Sequence, residues 1–197
     1  LPVPQAPGAT GSGVALDGSG GSAAAEAGRA VAAGADRPVL LIPRAGHPQF
    51  TRALADAAAA LQGADRQVAG LLLHPAEDRP EGESLAAAVP GLPLLEAADP
   101  HRALEAIAAS SGVASVRLHG LILGAAAGVP FAGLVYDPKV AGFLEQAQAP
   151  AFSGGDAGPE LARALLDADP AACQRRGREL RELAGSGIDW LVAELRR

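Results

Sequence analysis

The chain holds one cysteine, Cys173, no methionine, and fewer basic than acidic side chains, with 16 Lys and Arg against 22 Asp and Glu in 197 residues. A lone cysteine forms no internal disulfide and no cysteine-based zinc site, so nothing points to an oxidising compartment and the cytoplasm is the expected location. A net charge of -6 removes the basic face that a phosphate-backbone binder needs, so nucleic acid is not an expected partner. The four histidines match no metal-ligand spacing, and neither a metal nor a cofactor is expected. Leu118 to Tyr136 is nearly free of charge and about as long as a spanning helix. Pro130, His119 and the glycines at 120, 124, 128 and 133 fit a helix, a turn and a strand better than a membrane span. The N-terminal residues lack a basic region followed by an apolar core, so no secretory leader is expected.

What is present is length enough for one well-buried core, and an alternation of short apolar runs with helical segments. Residues 1–12, rich in Pro and Gly, read as a linker or loosely held leading segment, and residues 13–197 as one domain with a helical C-terminal tail. Strands are expected at Gly13 to Asp17, Pro38 to Pro43, Val68 to Leu73, Leu92 to Leu95, Val113 to Val116 and Pro130 to Val135. The VLLI run within Pro38 to Pro43 is typical of a strand buried on both faces. Helices are expected at about 23–33, 48–62, 84–88, 100–110 and 118–128, with Asp99 capping the one that begins at Pro100. Two or three more fill the tail from Pro159, where Arg175, Arg176, Arg178, Arg181, Glu179 and Glu182 read as a solvated face. Glu77, Asp78, Glu81 and Glu83 read as a solvated acidic loop. Six strands alternating with helices predict an α/β fold with a doubly wound, mostly parallel sheet, because such crossovers require parallel pairing.

The segment Arg117 to Val140, RLHGLILGAAAGVPFAGLVYDPKV, concentrates chemistry at the edges of two apolar runs. Arg117 and His119 fall at a strand-to-helix junction, where free N–H groups and the positive end of the helix dipole favour an anion. Tyr136, Asp137 and Lys139 follow the next strand at the same carboxyl edge, where open α/β sheets bind ligands.

The same residues resemble the signature of the polysaccharide pyruvyltransferase family, in particular the bacterial cell-wall members that modify the polysaccharide to which S-layer proteins attach. In that family an Arg-Leu-His triplet opens an Ala-rich helix, followed by Gly-Val-Pro-Phe and Tyr-Asp-Pro-Lys. Here these strings stand as Arg117-Leu118-His119, Gly128-Val129-Pro130-Phe131 and Tyr136-Asp137-Pro138-Lys139. The resemblance implies the Rossmann-like C-terminal, donor-binding domain of a GT-B type enzyme. It implies transfer of a pyruvyl group from phosphoenolpyruvate to a sugar of a cell-wall polysaccharide precursor, forming a cyclic ketal. Since the matching motifs belong to the family's C-terminal half, and the chain begins at Leu1 without any methionine, a half-enzyme is expected, with the acceptor held mostly by a missing N-terminal domain.

By the resemblance, Arg117, Leu118 and His119 hold phosphoenolpyruvate. The planar fork of Arg117 suits an oxyanion, Leu118 offers its backbone N–H, and His119 donates to the phosphate or acts as acid or base. The plain alternatives are an arginine paired with a nearby carboxylate and a histidine that caps a helix or fills the core. Lys139 is the member of the Tyr136, Asp137 and Lys139 group best suited to the anion, although the string also describes an ordinary strand-to-helix turn led by Pro138. The resemblance further implies an Arg near the end of the first strand, where Asp17 stands; either the correspondence there is shifted, or Arg44 after the second strand substitutes, or donor binding is weakened. Gly18, Gly20 and Gly21 form either an anion cradle or a flexible turn. Two other functions remain open: a GT-B nucleotide-sugar glycosyltransferase or epimerase domain, and a non-catalytic domain of the same fold, which Asp17 favours.

Overall fold

The computed structural model describes residues 37–195, with side chains described through residue 186. The expected strand Gly13 to Asp17, its glycine loop, the helix at 23–33 and the segment 1–12 lie outside the described residues.

Strand β1 (Val39–Ile42) leads to α1 (Pro48–Gly63), β2 (Val68–Leu72) to α2 (Pro75–Ala88), and β3 (Leu94–Glu96) to α3 (Pro100–Ala108). The second half runs β4 (Gly112–Ser115), α4 (Leu118–Ala127), β5 (Phe131–Leu134), α5 (Pro138–Ala147), β6 (Ala151–Phe152), α6 (Gly158–Leu166) and α7 (Pro170–Leu195). All pairings are parallel and the strand order is β3-β2-β1-β4-β5-β6. The order reverses direction between β1 and β4, where Val39 pairs with both Val68 and Gly112. That reversal is the topological switch point, outside whose carboxyl ends doubly wound sheets take their ligands.

Alternation along β1 sorts the two layers. Val39 and Leu41 face Phe50, Leu54 and Leu61 of α1, Leu85 of α2 and Leu161 of α6, whereas Leu40 and Ile42 join Ile107 of α3, Leu121 of α4 and Leu144 of α5. Leu40, Leu41 and Ile42 are buried, and each such side chain contributes about 1.5–3 kcal/mol relative to exposure. Helix α7 lies on α4, where a Cβ at Gly177 would collide with the Ala125 carbonyl.

Most helix starts follow one rule: Pro48, Pro75, Pro100, Pro138 and Pro170 each open their helix, a position that needs no N–H, whereas α4 opens on Leu118 and α6 on Gly158. Asp99 caps α3 as expected, accepting from the N–H groups of His101 and Arg102 at 3.0 Å.

Three expectations need correction. The acidic stretch from Glu77 is not a solvated loop but the first half of α2, and Asp78 is fully buried. The buried positions of α2 are Asp78, Gly82 and Leu85, so its inward stripe contains a charge and a glycine where helical periodicity looks for apolar side chains. Strand β6 was not anticipated, because two residues between Pro150 and a glycine-rich loop carry no alternation. Finally, the tail arginines do not all face solvent. Arg176 donates to the carbonyls of Gln146 and Ala147 at the end of α5, and Arg181 to that of Ala126 at the end of α4. Arg37 likewise donates to the Ala108 and Ala109 carbonyls at the end of α3. Three guanidinium groups thus satisfy helix C-termini at the amino edge of the sheet, where the dipole favours cations.

Candidate anion site at the switch point

At the opposite edge, β1 runs out through Arg44 and His47, β2 through His74, β4 through Arg117, and β5 through Tyr136 and Asp137. The helices that follow point their N-termini here.

Arg117 occupies the N-cap position of α4 but its side chain makes no cap bond. The turn is held instead by Ser115, whose Oγ donates to the Arg117 carbonyl at 2.7 Å, and by close packing of α4 on the sheet. A Cβ at Gly120 would lie 2.5 Å from Ser115 Oγ and 2.7 Å from Ile42 Cδ1, so only glycine lets the helix start approach this far. Leu118 is half-buried against the core on that face.

The guanidinium of Arg117 is buried and turns toward α2. Its Nε donates to Asp78 Oδ2, and its Nη2 donates to Asp78 Oδ1 at 2.6 Å and to Glu77 Oε2 at 2.9 Å. Burial lowers the Arg117 pKa, but the hydrogen bonds and charges of Asp78 and Glu77 outweigh it and hold the group above its ordinary value. The pairing with a carboxylate foreseen as the plain alternative is therefore present. Asp78 is also bound to the loop after β1, where the Ala45 N–H donates to its Oδ1 at 2.9 Å. The next residue, Gly46, has φ 78°, a left-handed conformation suited to glycine, and its N–H donates to Glu81 Oε1 at 2.8 Å.

That loop displays Arg44 and His47. The Arg44 guanidinium carbon lies 4.4 Å from the centroid of the Tyr136 ring, and the His47 ring is 4.7 Å from the same ring. Arg44 Nε and Glu81 Oε2 are buried polar atoms without a hydrogen-bond partner among the described residues. Burial first, and the Arg44 charge second, push His47 below the ordinary histidine range, with Glu81 opposing.

His119 is exposed and is neither the cap residue of α4 nor part of the core, which removes both plain alternatives for it. Its ring stands 6.2 Å from that of His74, the N-cap residue of α2, whose side chain also makes no cap bond. Asp137 serves its own helix, accepting from the Lys139 N–H at 2.7 Å, so this part of the Tyr-Asp-Pro-Lys string is a strand-to-helix turn. Lys139 is exposed, and no ion pair to it forms among the described residues.

The structure thus joins Arg44 to Tyr136 and His47, Arg117 to Asp78 and Glu77, and His119 to His74. Asp78 and His74 were absent from the sequence-derived site. His74 stands directly before the helix-opening Pro75, which is its only local signal, and Asp78, inside an acidic run, carries none. No group of three His, Cys, Asp or Glu side chains is placed to hold a metal ion among the described residues, and no described helix is long and apolar enough to cross a membrane.

A parallel sheet of this order defines a doubly wound α/β domain, and solved structures share its fold. The α,α-trehalose-phosphate synthase (UDP-forming) of Burkholderia vietnamiensis superposes with a TM-score of 0.57 at 17% identity, covering 90% of this chain and 48% of that one. The UDP-GlcNAc 2-epimerase of Methanocaldococcus jannaschii gives 0.54 at 12%, covering 80% of this chain and 49% of that one. The C-terminal CMP-Kdo binding domain of WaaA from Acinetobacter baumannii gives 0.54 at 14%, covering 82% of this chain and 95% of that domain. The chain spans 39% and 48% of the first two solved structures it resembles. No curated protein matches it.

Residues 42–138 match the family model for polysaccharide pyruvyl transferase. The matched segment contains Arg44, Asp78, Arg117, His119, Tyr136 and Asp137, and ends one residue before Lys139.

Proposed function

We propose that this chain is the donor-binding half of a pyruvyltransferase that moves the pyruvyl group of phosphoenolpyruvate onto two hydroxyls of a sugar in a cell-wall polysaccharide precursor, in the cytoplasm. The observation that carries the reading is the Arg117-Leu118-His119 turn, at the N-terminus of α4, at the switch point of the sheet and inside the family match. The near-complete coverage of an isolated C-terminal domain, against less than half of the full-length neighbours, supports the half-enzyme reading.

Ketal formation requires a proton delivered to the enol methylene, stabilisation of positive charge at the ketal carbon, and charge stabilisation on the departing phosphate. The first-turn N–H groups of α4 and the Lys139 ammonium meet the phosphate and carboxylate. His119, exposed beside them, donates to the phosphate or carries the proton. Arg44 adds a second cation across the switch point, held against Tyr136. Arg117 fixes the turn and presents its Nη2 edge. The acceptor sugar and the base for its hydroxyls belong to the N-terminal half.

Calorimetric titration with phosphoenolpyruvate and with a nucleoside-diphosphate sugar separates the readings. Replacing Arg117 with Ala would strand Asp78 as a buried unpaired charge, so His119→Ala and Lys139→Ala are the informative variants. The proposal expects phosphoenolpyruvate binding weakened at least about tenfold in each, since charge-assisted hydrogen bonds are worth about 1.5–3 kcal/mol. Binding of the nucleotide sugar alone would mark a glycosyltransferase or epimerase domain, and binding of neither by chain and missing half together would mark a non-catalytic one.

A further inference from the structure

Asp78 and Glu77 are neighbours in sequence and hold the same guanidinium, yet their situations differ sharply. The Asp78 side chain is 0% exposed, engages both Nε and Nη2 of Arg117, and accepts a third hydrogen bond from the Ala45 N–H. The Glu77 side chain is 66% exposed and makes one hydrogen bond, to Nη2. We infer that Asp78 is a permanent positioning residue, tying the Arg117 turn to the Arg44 loop, and that Glu77 is an exchangeable counter-ion whose place on Nη2 an incoming phosphate or carboxylate takes. The identity of that anion as phosphoenolpyruvate rests on the function proposed above.

Releasing Asp78 would leave a charge buried without a partner, so the Asp78 contact persists through any binding event. Glu77 swings into water at little cost, because its side chain is already 66% exposed and Asp78 keeps the buried guanidinium paired. The incoming oxyanion finds in Nη2 the donor geometry that the Glu77 carboxylate already uses, and this exchange keeps Arg117 compensated throughout. Until then Glu77 acts as an internal competitor. It also sits in the first turn of α2, where the helix dipole stabilises its charge after release. The exchange reconciles an arginine locked in an ion pair with a turn whose family match implies anion binding.

The test compares the unaltered protein, Glu77→Gln and Asp78→Asn in titrations with inorganic phosphate and with phosphoenolpyruvate, while the Arg117 Nε–H resonance is followed by nitrogen-15 NMR. Glu77→Gln is expected to bind both anions about 1.5- to 5-fold more tightly, the factor that corresponds to removing one ion pair whose carboxylate is solvent-exposed. The Nε–H resonance is expected to stay protected in the unaltered protein and in Glu77→Gln, with and without anion. Asp78→Asn is expected to expose Nε–H to exchange and weaken binding, and rescue of both by Asp78→Glu would separate positioning from folding. Equal or weaker anion binding by Glu77→Gln, loss of Nε–H protection when anion binds the unaltered protein, or binding of no anion by any variant would overturn the inference. Tighter phosphate binding by Glu77→Gln without phosphoenolpyruvate binding would leave the exchange standing and count against the pyruvyl reading.

Discussion

The two edges of the sheet use the same side-chain types to opposite ends. At the amino edge Arg37, Arg176 and Arg181 are absorbed by the last carbonyls of α3, α5 and α4, so each helix end is satisfied within the fold. At the carboxyl edge Arg44 Nε has no partner among the described residues, the cap residues His47 and His74 make no cap bond, and His119 and Lys139 are exposed. Arg117, by contrast, is paired, and its strongest partner is buried beneath the site. An arginine count alone cannot separate structural from ligand-facing cations. What separates them is whether a carbonyl, a buried carboxylate or nothing receives the donor.

That contrast fails if cations at both edges respond alike to substitution. The largest expected difference lies beneath the edges, at Asp78. Asp78→Ala removes the buried partner of Arg117, leaving only the exposed Glu77 on its guanidinium, and is expected to cost about 3–5 kcal/mol in urea unfolding. A loss below 1 kcal/mol would show that the pair is not the hub of the carboxyl edge. Next comes Gly120→Ala, expected to cost about 1–3 kcal/mol, because its Cβ overlaps Ser115 Oγ and Ile42 Cδ1. By displacing the turn it should also weaken anion binding, and an unchanged melting temperature would contradict the close approach. Arg176→Ala and Arg181→Ala are expected to lower stability by about 0.3–1 kcal/mol each and to leave phosphate affinity unchanged. Any loss of affinity there would erase the distinction between the edges.

The smallest expected effect is a pH dependence. Because the folded environment holds His47 below its ordinary value, the unfolded chain binds that proton more readily than the folded one. The stability linked to His47 is therefore fully present above about pH 6.5 and lost as pH falls through the lowered folded value. Unfolding curves of His47→Gln should lack this component, and identical pH profiles for the two proteins would exclude it.

Much of this organisation is legible from local pattern. VLLI at β1, the Asp99-Pro100 start of α3 and the RLHG junction before α4 each follow from burial, capping or dipole rules acting over a few residues. The missed features depend on partners distant in sequence. Asp78 is buried because Arg117, 39 residues away, meets it, and the helical stripe Asp78, Gly82, Leu85 conceals α2 from any apolar periodicity. Arg181 reads as solvated on its own helix, yet its carbonyl partner lies 55 residues earlier. The site was therefore visible as a list of cations, while their division into bound and available ones emerges only from tertiary contacts.

The central claim, that the switch point is the anion-binding edge, is tested most directly by mapping backbone amide shifts during a phosphoenolpyruvate titration. The account predicts saturable shifts at residues 44–47, 118–120 and 139, with residues 108, 126 and 147 at the amino edge unmoved. Shifts confined to the amino edge, or spread evenly over both, would contradict it.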